Sequence, residues 1–214
     1  MIKILVVDDH ELVRAGISRI LNDVQDFQVV AEANCGEDAV AYCRKHTPDI
    51  VLMDISMPGI GGLEATKKVL RVCDGTRVIC LSMHKENPLP AKIMQAGAYG
   101  FLTKDAEHSE MVNAVYKVAS GQKYVSPDIA QRIALGALDL NQNNPFEALT
   151  ERELEITMMI TRGVKVTEIA RSLSLSAKTV NTYRYRTFDK LGIESDVELT
   201  HLALRHNLIQ SSNV

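Results

Sequence analysis

Five short apolar runs, at residues 2–7, 28–33, 50–53, 78–81 and 99–102, mark the first part of the chain. Between them lie amphipathic stretches, each long enough for a crossover helix. Strands that return parallel need such crossovers, so the series reads as βαβ units. It predicts a five-stranded parallel sheet with helices on both faces, an α/β architecture.

Near residue 127 the pattern changes. Pro127 suits the first turn of a helix over 128–138, in which Ile129, Ile133, Ala134, Ala137 and Leu138 share a face. The polar segment 139–146, containing Pro145, reads as an interdomain linker. Beyond it the periodicity is purely helical. Thr150 and Glu153 form a capping box for a helix that runs to about residue 161 and stops at Gly163. A short helix at 166–173, a turn at Ser174-Leu175-Ser176, a longer helix at 177–191 ended by Gly192, and a last helix at 197–206 follow. Three segments result: 1–122, a linker at 123–146, and an all-α region at 147–214.

The chain has 214 residues, of which 46% are hydrophobic and 24% charged. That balance excludes a disordered, collagen-like or membrane-embedded protein. No apolar run approaches the roughly 20 residues that span a bilayer, and residues 1–7 meet Asp8-Asp9 too soon for a signal peptide. A cytoplasmic protein is expected. Cys35, Cys43, Cys73 and Cys80 form no CxxC pair, which fits free, mostly buried thiols rather than a zinc site or disulfide.

The net charge of −3 conceals an asymmetry. From Arg162 to Lys190 there are seven basic residues against Glu168 and Asp189, and such a stripe attracts phosphates even on an acidic chain.

What stands after each apolar run carries the chemistry. The first run ends in Asp8-Asp9, the third in Asp54, the fourth in Ser82 and the fifth in Lys104. In an open parallel sheet the ligand crevice lies outside the carboxyl ends of the strands, so these side chains converge. Crowded carboxylates resist ionisation unless a hard cation lies among them, and an oxygen-rich set suits Mg²⁺. A carboxylate beside Mg²⁺ and a lysine can attack a phosphoryl group, because the cations neutralise charge growing on its oxygens. Any one of these residues has a plainer explanation: Asp8 or Ser82 as a helix cap, Lys104 as a solvated lysine, Phe101 as a core aromatic. Their joint occurrence, in the order acid pair, acid, hydroxyl, lysine, outweighs those.

The segments Val6-Val7-Asp8-Asp9-His10, Leu52-Met53-Asp54-Ile55-Ser56-Met57-Pro58-Gly59, Leu81-Ser82 and Phe101-Leu102-Thr103-Lys104 resemble the receiver domain of bacterial two-component response regulators, over about the first 120 residues. The resemblance implies a flavodoxin-like (βα)5 fold in which Asp54 accepts a phosphoryl group from a sensor histidine kinase or phosphotransfer domain. It further implies that Asp8, Asp9, Asp54 and Ser56 hold Mg²⁺, that Lys104 contacts the phosphate, and that Ser82 and Phe101 act as the switch, Phe101 moving inward. Ser56 and His84 fall where receivers commonly tune dephosphorylation. Two prolines, Pro88 and Pro90, stand where the fourth helix should begin, which predicts a short one.

In the tail, a short helix, a tight turn and a longer helix rich in Arg, Lys, Asn and Tyr make a helix-turn-helix, whose second helix enters the major groove. Lys178, Asn181, Thr182, Tyr185 and Asp189 share one face, with Val180, Phe188 and Leu191 turned toward a core. Lys178, Asn181, Thr182, Tyr185 and Asp189 are candidates for reaching bases, Lys165, Arg186 and Lys190 for phosphates, and Thr179 is a further DNA-contact candidate. The segments Leu149-Thr-Glu-Arg-Glu-Leu-Glu155, Glu168-Ile169-Ala170, Leu175-Ser176, Lys178-Thr179-Val180 and Lys190-Leu191 resemble the LuxR-type helix-turn-helix. Receiver plus this tail is the NarL/FixJ class, and Asp54 to Thr66 with Lys178 to Arg186 looks closest to the GacA/UvrY/VarA group. That implies a phosphorylation-controlled transcription regulator, active as a homodimer on double-stranded DNA with an inverted repeat, with no membrane role.

Arg184 and Thr187 depart from the tail's usual apolar pattern, so Arg184 must reach solvent or an acidic partner. Leu199, Leu202, Ala203 and His206 form a stripe that resembles a dimer contact. Two other readings stand beside this one. A phosphatase or phosphotransferase with an aspartyl intermediate would place a second Asp at position 56, where the chain has Ser56. A receiver that only docks proteins, with a degenerate tail, would bind no duplex.

Overall fold

The computed structural model describes residues 1–83, 89–138, 144–173, 175–206 and 208–209. The chain forms two compact units that meet in sequence at Ala130/Gln131.

In the first unit the apolar runs become β1 (Ile2–Val7), β2 (Phe27–Ala33), β3 (Ile50–Asp54), β4 (Arg77–Ser82) and β5 (Gly100–Thr103). They alternate with α1 (Glu11–Asn22), α2 (Gly36–Cys43), α3 (Gly61–Val72), α4 (Leu89–Gln95) and α5 (His108–Ala119). The expected five strands form a contiguous parallel sheet, and a two-residue strand, β6 (Tyr124–Val125), adds to the edge of β5, giving the order β2-β1-β3-β4-β5-β6. Two residues are too few to show a period, so the sequence carries no signal for β6.

Both faces of the central strands are covered, which is why the runs read as continuously apolar. Ile4, Val6, Ile50, Leu52, Ile79, Leu81 and Leu102 pack with Ile17, Leu21, Met111, Val115 and Val118 of α1 and α5. Leu5, Val7, Val51 and Met53, at the alternate positions, are equally buried. Helix α4 is short, with Pro90 in its first turn, where the missing N–H costs nothing. Pro88 and His84 lie outside the described residues.

Register sets up the site. Val7 pairs with Met53, Asp54 with Leu81 and Ser82 with Thr103, so β1, β3, β4 and β5 end level with one another. Strand order reverses about β1, and the loops after β1 and β3 flank that reversal.

The helix α6 (Pro127–Leu138) follows. The second unit contains a 3-10 turn (Pro145–Ala148), α7 (Glu151–Thr161), α8 (Val166–Ser172), α9 (Ala177–Leu191) and α10 (Asp196–Arg205). Phe146 is fully buried, so the segment expected to end a linker instead opens the folded body of this unit. The capping box forms as expected, Thr150 and Glu153 each accepting from the other's backbone N–H. Helix α9 starts on Ser176, whose Oγ accepts from Thr179 N–H, and ends at Gly192, whose φ of 65° suits glycine.

Helix α10 divides the expected stripe, with Leu202 and His206 half-buried. Leu199 and Ala203 are fully buried in the unit's own core, where α10 packs on α7, and the His206 ring lies 6.2 Å from that of Phe146. The stripe expected to meet a second copy faces inward at these positions. Among the described residues no helix is long and apolar enough to cross a membrane. Cys35, Cys43, Cys73 and Cys80, all described, form no disulfide.

Candidate functional site

Level strand ends bring Asp8, Asp54 and Lys104 together. Asp8 and Asp54 are fully buried and are held alike. Asp8 Oδ1 accepts from His10 N–H (2.8 Å) and Asp54 Oδ1 from Ser56 N–H (3.1 Å), each two residues on, the local geometry Asp favours in turns. The second oxygens converge on one ammonium: Lys104 Nζ lies 2.7 Å from Asp8 Oδ2 and 2.8 Å from Asp54 Oδ2.

One lysine cannot balance this site. Burial pushes the Asp54 carboxyl up to about 6; the Asp8 charge adds to that, while Lys104 and the Ser56 N–H offset part of it. For Lys104, burial works against the ammonium, but Asp54 and Asp8 outweigh it and raise its pKa. Asp9 brings a third carboxylate at the rim, 2.9 Å from His10 Nδ1. Ligand atoms of Asp8, Asp9, His10 and Asp54 all lie within 4.8 Å of one another. Three clustered carboxylates, two of them on one ammonium, are the donor chemistry of a hard divalent cation such as Mg²⁺.

Ser56 enters the site through its backbone N–H. Ser82 is buried at the end of β4, and its carbonyl accepts from Lys104 N–H at 2.9 Å, which ties the hydroxyl-bearing residue to the lysine through the main chain. Phe101, on β5, is fully buried.

Three contributors escaped the sequence reading. Arg14 donates to the Asp8 carbonyl (2.7 Å) and to Glu32 Oε2 (3.1 Å), pinning the loop after β1. His10 joins the acidic cluster. Gly62 lets the start of α3 rest against the end of β3: a Cβ there would stand 2.0 Å from the Asp54 carbonyl oxygen. The Gly61-Gly62 pair just after the Asp54 segment was the available signal.

In the second unit α8 and α9 form the helix-turn-helix. Lys178, Thr182, Tyr185 and Arg186 are exposed, Asn181 and Thr179 are half-buried, and Lys165 is the exposed N-cap of α8. Thr182 donates to the Lys178 carbonyl (3.0 Å). Thr179 shares a 2.8 Å hydrogen bond with Ser176 Oγ, so its hydroxyl serves the start of α9. Lys190 departs from its expected place. Its Nζ lies 2.6 Å from Glu153 Oε2 and 3.4 Å from the Ala148 carbonyl, so its charge is engaged by the capping box of α7 instead of standing free for a phosphate. Arg184 finds the acidic partner its position demanded, Asp196.

Two families match. The response regulator receiver domain matches residues 4–116, and the luxR family of bacterial regulatory proteins matches residues 147–203. The chain is 57% identical to the response regulator UvrY of Escherichia coli over 215 residues, covering 100% of this chain and 99% of that protein. It is 52% identical to the response regulator GacA of Pseudomonas aeruginosa over 214 residues, covering all of both. A crystal structure of a LuxR-family two-component response regulator from Aurantimonas sp. SI85-9A1 is similar with a TM-score of 0.61 and 38% identity, over 64% of this chain and 98% of that one.

Proposed function

The chain belongs to the two-component response regulators, with a receiver domain and a LuxR-type DNA-binding domain joined as in transcription regulators of that family, and we propose that its switch is phosphorylation of Asp54. The observation that carries this is the Lys104 ammonium held between the buried Asp8 and Asp54 carboxylates.

In the transfer, an Asp54 oxygen bonds to phosphorus as the P–N bond of a phosphohistidine breaks. The leaving imidazole takes the bonding pair. Lys104, now beside the phosphoryl oxygens, offsets their charge in the transition state. Asp8, Asp9 and Asp54, with Ser56 beside them, are the residues that would hold Mg²⁺; the ion when bound supplies the second positive charge that phosphoryl transfer to a carboxylate needs. The product carries about −1.5 to −2 charges on its phosphoryl oxygens in place of the single charge of the Asp54 carboxylate. The Ser82 hydroxyl, one strand over, is the group placed to answer it, with Phe101 as its companion on β5. The chain thus assists its own modification and acts on no external substrate.

The phosphorylated form is a homodimer that reads an inverted repeat in double-stranded DNA in the cytoplasm. Lys178, Asn181, Thr182 and Tyr185 face bases, with Arg186 and Lys165 on phosphates and Thr179 beside them at the start of α9. The chain divides into a receiver at 1–122, a linker at 123–146 and a DNA-binding domain at 147–214. The donor is a sensor histidine kinase or phosphotransfer domain.

The test is labelling of the full chain by acetyl phosphate with and without Mg²⁺, with the modified residue located by mass spectrometry. One phosphoryl group on Asp54, absent without Mg²⁺, is expected. A label on another residue, or none, overturns the proposal.

A further inference from the structure

Arg184 belongs to the basic stripe by composition but not by geometry. Two of its three guanidinium nitrogens donate to Asp196, Nε to Oδ1 and Nη2 to Oδ2, each at 2.7 Å. A bidentate fork of this kind fixes the plane of the guanidinium as well as its place. That plane lies against two rings of its own helix: the guanidinium carbon is 5.2 Å from the centroid of Phe188 and 5.7 Å from that of Tyr185. The two rings meet edge to face, 6.1 Å apart and 88° between planes. Phe188 is buried, whereas Tyr185 is 59% exposed.

The result is a chain of contacts from the first residue of α10, through Arg184 and Phe188, to an aromatic standing out of α9. An exposed tyrosine ordinarily samples several rotamers, and a ligand that needs one of them must bear the cost of ordering it. Here a buried ring and a clamped guanidinium order it beforehand.

We propose that Arg184 and Asp196 are positioning residues for sequence reading: they touch no DNA, and act by holding Tyr185 in the orientation that meets a base. The inference rests on the DNA-binding reading above and adds to it a residue on α10, outside the helix-turn-helix. It also assigns Arg184 a role opposite to the one its charge suggests. A phosphate contact would lend affinity for every duplex, whereas a positioning residue lends discrimination between duplexes.

The full chain, treated with acetyl phosphate and Mg²⁺, is used to select duplexes from a randomised pool. Affinities for a selected and a scrambled duplex are then measured over a range of salt. Arg184→Met and Asp196→Asn are expected to lower the selected-to-scrambled ratio by about tenfold, the size of one lost base contact, and to leave the salt slope unchanged. Arg184→Lys keeps the charge without the fork and should behave like Arg184→Met, whereas Asp196→Glu should restore part of the ratio. In a Tyr185→Ala background, Asp196→Asn should cost nothing further, a non-additivity that a mere link between helices would not produce.

Additive losses in that background overturn the inference, and so does a fall of about one in the salt slope for Arg184→Met, which would mark a phosphate contact. A wild-type chain that selects no duplex overturns the DNA-binding reading itself, and this inference with it.

Discussion

Each unit pairs lysine or arginine with carboxylates, to opposite ends. At the strand ends of the first unit, one ammonium serves two fully buried carboxylates, with a third at the rim. Charge there is left over. In the helical unit the described pairs are matched one to one, Lys190 with Glu153, Arg184 with Asp196 and, within α7, Arg152 with Glu155, and in the first two at least one member is partly open to water. Matched pairs hold elements in place. A deficit of positive charge in a dry crevice, by contrast, is a standing demand for another cation or for a neutralising reaction, and it is the kind of site where function is looked for.

The sharpest way to break the contrast is Asp54→Asn, which should abolish labelling by acetyl phosphate altogether while leaving Asp8 paired with Lys104. Next is Lys104→Ala. It strands two buried carboxylates and should cost about 3 kcal/mol, read by denaturant unfolding, with part of the loss recovered when Mg²⁺ is added.

The corresponding change in the helical unit, Lys190→Met, should cost only about 1 kcal/mol, since that ammonium is more exposed and Glu153 keeps its backbone donor at Thr150. The same pair has a pH signature. Burial works against the Glu153 carboxylate, but Lys190 and the Thr150 N–H outweigh it and hold its pKa below the ordinary 4.5. A carboxylate with a depressed folded value contributes stability above its unfolded pKa, and that contribution is lost as pH falls through the folded one. Melting of the second unit should therefore steepen below about pH 4.5, and Glu153→Gln should flatten that limb. The smallest effect expected is a gain. Thr187 is buried with a hydroxyl that makes no hydrogen bond among the described residues, so Thr187→Val should stabilise by up to about 1 kcal/mol in the same unfolding assay.

How far the sequence carried the reading follows the same division. The crevice was legible because each member follows an apolar run, and a parallel sheet sends all such positions to one edge. Asp8, Asp54 and Lys104 needed no knowledge of which strand lies beside which. The helical unit hid more. Periodicity shows that Leu199 and Ala203 share a face with Leu202, but an apolar face looks the same whether its own core or a second copy covers it. Lys190 and Glu153 are 37 residues apart, and Arg184 and Asp196 are 12 apart across a helix junction. Nothing local in α9 separates a basic side chain engaged within the fold from one left for a ligand. Phe146 was misplaced for a similar reason, since a polar stretch ending in proline reads as a linker whatever its last aromatic packs against.

Gly62 has a consequence for how this chain can vary. Nineteen of the twenty amino acids carry a Cβ, and here that atom would stand 2.0 Å from the carbonyl oxygen of Asp54, with the Ile55 backbone close behind. Relief could come only by lifting α3 away from the strand or by tilting the peptide that carries the acceptor. In a library that randomises residues 55–66, position 62 should therefore return as glycine in every clone that still takes up phosphate, although its side chain can take no part in the reaction.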